Sequence, residues 1–162
     1  GTILCIPDGK NKSAGQDSWK DFADWWLSEG GVIDALDMTI SNAAGRIGKP
    51  SFRHKVVMTM PDPIMLEYFT DKSSSTTYWG SVYDRQLDFK NASDQVAAYR
   101  WYIDYVRELW EKNTPENIEL AGFYVLSEIL VAKPSGWNYK YKRWDQILPA
   151  VSDYLHELKY GL

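Results

Sequence analysis

From Leu120 to Leu126 every residue is apolar, aromatic or glycine. Seven such residues without a charge are too few for a self-sufficient helix. They have no polar partner for a half-exposed strand, so they read as a strand covered on both faces. His54 to Met60, with Val56, Val57 and Met58 at its centre, is a second candidate strand, and Thr2 to Ile6 is a third. Turn formers follow two of the three: Pro7-Asp8-Gly9 and Pro61-Asp62-Pro63.

The intervening segments carry a helical period. Trp19, Phe22, Ala23, Trp26 and Leu27 form one stripe, entered through a cap at Asp17 or Ser18 and broken at Gly30-Gly31. Ile33, Leu36, Ile40, Ala43, Ala44 and Ile47 form a second stripe, ended by Gly48. A third helix, capped by Ser93 or Asp94 and stopping near Asn113, turns Tyr99, Tyr102, Ile103, Val106, Leu109 and Trp110 inward. The last carries Ile147, Leu148, Val151, Leu155 and Leu158, with Pro149 expected in its first turn and Gly161 as its stop. Strands separated by helices predict right-handed crossovers and a parallel α/β sheet. Residues 1–162 are read as a single domain fragment in which three strands are too few to close a barrel. A fourth strand is expected to begin at Leu162.

Composition narrows the function. The net charge is −4 and the longest basic cluster is Lys140, Lys142 and Arg143, so no basic face for nucleic acid is expected. No apolar run reaches membrane-spanning length. The single cysteine, Cys5, excludes a disulfide within the chain and reads as a small buried hydrophobe. His54 and His156 fall in different parts of the repeating unit, no phosphate-binding glycine loop follows a strand, and no cofactor is implied. Eight Trp and eleven Tyr are the unusual feature. Some are expected on a surface that binds something flat and partly apolar, with a Trp-rich core as the plain alternative.

In parallel α/β folds the working face lies at the carboxyl ends of the strands. The three strand-to-helix connections, 7–17, 61–93 and 127–143, are the long ones, and two are rich in aromatics. Asp8, Asp62 and Glu128 stand at strand ends. Two carboxyl groups suffice for glycoside hydrolysis. Glu128, after the most apolar strand, is the candidate acid or base, since burial can keep it protonated. The partner carboxylate is expected from strands beyond Leu162, or else from Asp62, which is fixed between two prolines and reads first as a turn former. Substrate-binding candidates are Tyr124 and Ser127 beside Glu128, the loop aromatics Tyr78, Trp79, Trp137 and Tyr139, and Asp8. The aromatics either stack on sugar rings or pack the loops.

Four segments carry a resemblance: Lys55-Val-Val-Met-Thr-Met-Pro61, Arg100-Trp-Tyr-Ile-Asp104, Leu120-Ala-Gly-Phe-Tyr-Val-Leu-Ser-Glu128 and Val151-Ser-Asp-Tyr-Leu-His156. Together they resemble an uncharacterised family of bacterial, secreted proteins catalogued as a domain of unknown function (DUF4855). The resemblance implies the N-terminal half of a TIM-like, glycoside-hydrolase-like barrel, with Glu128 at a family-like position. It also implies a secreted or cell-surface location, the leader lying outside this sequence, and a glycan or polysaccharide partner. Asp62 and Val125 depart from the family pattern, which has aromatic residues there. A non-catalytic carbohydrate-binding barrel and an interaction module are the alternatives. Self-association through an open sheet edge is also expected.

Overall fold

The computed structural model describes residues 3–5, 11–49, 53–68, 71–126 and 143–162. The elements in chain order are β1 (Ile3–Cys5), β2 (Asn11–Ser13), α1 (Gln16–Leu27), α2 (Val32–Ile47), β3 (His54–Met60), β4 (Ser81–Val82), β5 (Arg85–Gln86), α3 (Ala92–Asn113), β6 (Ile118–Val125) and α4 (Trp144–Glu157). The fold is mixed α/β, centred on a parallel pair, β3 and β6, joined through α3.

The register of that pair places His54, Val56, Met58 and Met60 opposite Ile118, Leu120, Phe123 and Val125. Ala121 is the extra residue of an irregularity that separates the Val56–Leu120 pair from the Val57–Gly122 pair. One extra residue moves every later side chain of β6 to the opposite face. Phe123 is thereby buried with Leu120, although three positions separate them. The covered face meets Trp19 and Ala23 of α1, Tyr99, Tyr102, Ile103 and Val106 of α3, and Ile147, Val151 and Leu155 of α4, in one core cluster. The opposite face carries the paired positions Val57–Gly122 and Thr59–Tyr124, and both Val57 and Tyr124 are exposed. Among the described residues the helices lie on one side of β6 only, so the expectation of a strand covered on both faces is not met there.

Among the described residues the expected third parallel strand is not found. β1 pairs antiparallel with β2, Cys5 opposite Asn11, inside what reads from sequence as a polar loop. Close antiparallel partners need only a short loop, which costs less closure entropy than reaching β3 across two helices. β2 is held in turn by residues 66–68: the Ser13 amide donates to the Glu67 carbonyl at 2.8 Å and the Ser13 hydroxyl to the Leu66 carbonyl at 2.6 Å. Among the described residues there is no closed barrel.

After α4 the chain turns at Lys159, in the left-handed region at φ 65°, and returns to β6. The Gly161 amide donates to the Ala121 carbonyl at 3.1 Å, and the Phe123 amide donates to the Gly161 carbonyl at 2.9 Å, a parallel bridge on the far side of β6 from β3. Gly161 is thus a strand-pairing residue, and the helix ends earlier, at a Leu158 cap. A Cβ at Gly122 would run into the Gly161 carbonyl, so this approach requires glycine.

Three smaller expectations also change. Pro149 is the sixth residue of α4, one turn deeper than predicted, and is tolerated on an exposed face. Helices α1 and α3 begin after Gly15 and Asn91, earlier than the predicted caps. In α2 only Ile33 is buried, while Leu36 and Ile47 are exposed, so most of its apolar stripe lies uncovered. The Gly48 stop of α2 is as predicted, left-handed at φ 63°.

Candidate functional site

The carboxyl ends of β3 and β6 lie side by side, because the register runs in parallel to the last pair, Met60 with Val125. Asp62 follows β3 by two residues and is only 2% exposed. Its backbone is fixed between Pro61 and Pro63, and its carbonyl accepts from the Ile64 amide at 3.0 Å. Both the turn-forming role and a buried carboxylate are therefore present at this position.

Tyr99 of α3 is fully buried, and its hydroxyl senses the charge of Asp62. Complete burial raises its hydroxyl well above the ordinary phenol value, and the negative charge of Asp62 adds to the effect. A phenol that keeps its proton is a hydrogen-bond donor at any physiological pH. Sequence reading assigned Tyr99 to the helix core face alone. Its electrostatic coupling to Asp62 is a tertiary fact with no sequence signature.

Tyr124 projects from the open face opposite Thr59 and is 43% exposed. On the covered side the Tyr102 hydroxyl donates to the Thr59 carbonyl at 3.1 Å, fixing the end of β3 against α3. This corner accordingly combines an accessible aromatic ring, a buried carboxylate and a buried phenol.

The other predicted residues divide sharply. Trp79 is a core residue, 2% exposed, with Trp19, Phe89 and Trp101 around its ring at centroid distances of 5.2, 5.6 and 5.5 Å. No face is left for a sugar, and its substrate-binding assignment gives way to core packing. Tyr78 is half-buried; its hydroxyl donates to the Ile64 carbonyl at 2.6 Å, and burial pushes it well above the ordinary phenol value. It too packs the 61–91 connection, which is a folded cap and not an open loop: Ile64, Leu66, Trp79, Val82, Leu87 and Phe89 are all buried within it. Asp8, Ser127, Glu128, Trp137 and Tyr139 lie outside the described residues, as does the side chain of Cys5.

Among the described residues no group of three His, Cys, Asp or Glu side chains gathers as a metal site. No helix among them is long and apolar enough to cross a membrane.

No curated protein and no solved structure matches the chain. One family profile does, over residues 1–161, nearly the whole sequence. The chain belongs to the domain of unknown function family DUF4855.

Proposed function

We propose that this domain handles a glycan outside the cell, at the carboxyl ends of β3 and β6, as part of a glycoside-hydrolase-like barrel. The observation that supports this best is the pairing of the two strand ends. Asp62 is buried directly after β3, and Tyr124 stands exposed on β6 four residues before Glu128. In the proposal Glu128 is the acid or base, Tyr124 and Ser127 contact the sugar, and Trp137 and Tyr139 extend the contact. Asp62 holds the second negative charge. Its closure from solvent suits a carboxylate that orients a neighbouring donor better than one that attacks a sugar carbon.

The test is a glycan-panel hydrolysis assay on the full-length protein, beside Glu128→Gln and Asp62→Asn. Loss of most of the rate in Glu128→Gln is expected. Cleavage unaffected by Glu128→Gln would sink the assignment of the acid.

The burial of Asp62 also favours a second reading, a non-catalytic carbohydrate-binding domain. Hydrolysis needs two carboxyl groups about 5–10 Å apart and open to the same substrate. Glycan binding without cleavage by either protein would select this reading. In both readings the uncovered sheet face, with Val57, Tyr124 and Leu126 exposed, is where self-association would occur.

A further inference from the structure

The β4–β5 hairpin turns through Tyr83 and Asp84, both with positive φ, 50° and 61°. A two-residue hairpin of this kind is normally made by Asn and Gly, because at positive φ the Cβ crowds the backbone carbonyl, a clash that Gly lacks and that Asn offsets by local hydrogen bonding. A tyrosine accepts that strain here and is 93% exposed at the tip. Nothing in the packing of the core calls for it.

Tyr83 overhangs a groove of about 570 Å³ whose other walls include Arg85, Arg100, Trp101, Asp104 and Tyr154. The volume lies in the range of small-ligand sites. The groove is on the side of α3 turned away from the sheet, since Tyr99, Tyr102, Ile103 and Val106 take the covered side. It is separate from the strand ends. Gln16 of α1 fastens the hairpin, its amide pairing with the Ser81 carbonyl at 2.9 Å and the Ser81 amide at 3.3 Å.

The charges of the groove are unequal in availability. Asp104 accepts from the Tyr154 hydroxyl at 2.6 Å and from Arg107 at 3.4 Å. Arg85 is bound to Asp94 at 2.7 Å. Arg100 is exposed, its guanidinium 4.8 Å from the centre of the Tyr154 ring, and no carboxylate among the described residues pairs with it. The ring orients the guanidinium and leaves its donors without a carboxylate partner among the described residues. Trp101 is stacked on Tyr105 at 5.5 Å with the planes 2° apart, so a second aromatic holds it in place.

We propose that this groove binds a carboxylate-bearing sugar unit, a uronic acid residue of an acidic polysaccharide. Arg100 receives the carboxylate in a two-pronged hydrogen bond, and the sugar ring lies between Trp101 and Tyr83. A pyranose offers one apolar face and a polar edge, which matches an aromatic wall beside guanidinium donors. The site stands independently of the strand-end proposal.

The test is calorimetric titration of the full chain with a linear oligomer of galacturonic acid and with a neutral cello-oligosaccharide of equal length. The variants are Arg100→Gln and Tyr83→Asn. Asparagine tolerates positive φ, so Tyr83→Asn folds at least as stably as the wild type while losing the ring. The expected result is binding of the acidic oligomer, weakened about tenfold or more by Arg100→Gln and weakened also by Tyr83→Asn. Equal affinity for the neutral oligomer, an acidic-oligomer affinity indifferent to Arg100→Gln, or no binding of either would each overturn the proposal. The readout is binding and not hydrolysis, so its failure leaves the strand-end proposal standing.

Discussion

The Tyr105 hydroxyl of α3 donates to the Asp24 carboxylate of α1 at 2.5 Å, bridging 81 positions of sequence. Burial, reinforced by this bond and by the charge of Asp24, holds the Tyr105 proton well above the ordinary phenol value. Tyr105→Phe is expected to cost about 1–2 kcal/mol, a hydrogen bond to a charged partner. Chemical denaturation measures it. A double-mutant cycle with Asp24→Asn should return a clear coupling energy, and additive single effects would show that the contact carries no energy of its own.

Asp94 gives the fold an acid-sensitive point. Burial opposes its ionisation. The Asp88 amide, Arg85 and Asn91 outweigh that and hold its carboxyl below the usual carboxylate range. A lowered folded pKa means that the stabilisation is fully present above the unfolded value, near 4, and is lost as pH falls through the folded value. Asp94→Asn should therefore be less stable than the wild type by about 1–2 kcal/mol at pH 7. The gap in urea midpoint should begin to narrow near pH 4 and close as pH falls through the folded value. A gap that does not narrow as pH falls below about 4 would show that the effect is not ionic.

Gly122→Ala should push the chain around Gly161 off β6, since the new methyl group would occupy the place of the Gly161 carbonyl. A loss of about 1–3 kcal/mol follows from overpacking. Amide exchange should quicken at Phe123 and Gly161, whose bonds join the two segments. Unchanged exchange at both would refute the close approach.

Trp79→Ala should destabilise the domain by about 3–5 kcal/mol, the usual cost of emptying a large aromatic site, because Trp19, Phe89 and Trp101 all pack on it. Trp79→Phe should recover much of the loss. A stable Trp79→Ala with altered glycan binding would return Trp79 to the role read from sequence.

Self-association is expected to depend on the open sheet face. Sedimentation should show a concentration-dependent increase in mass, and Val57→Lys, at a position 55% exposed, should reduce it. A monomer at all concentrations would remove this prediction.

Periodicity by itself determined the positions of β3, β6 and the four helices, because each is a local pattern of apolar spacing that tertiary contacts did not override. It also singled out Asp62, which does stand at the end of β3. Other features depended on through-space packing. The irregularity at Ala121 decided which residues of β6 face the helices, and no spacing rule announces an extra residue within an all-apolar run. The partner of β1 was decided by proximity along the chain. Trp79 and Tyr83 are four positions apart in one connection, and composition treats them alike. The first fills the space between α1 and α3, and the second is carried outward by two positive φ angles. Local sequence sets which side chains share a face; which face is covered depends on where the rest of the chain comes to lie.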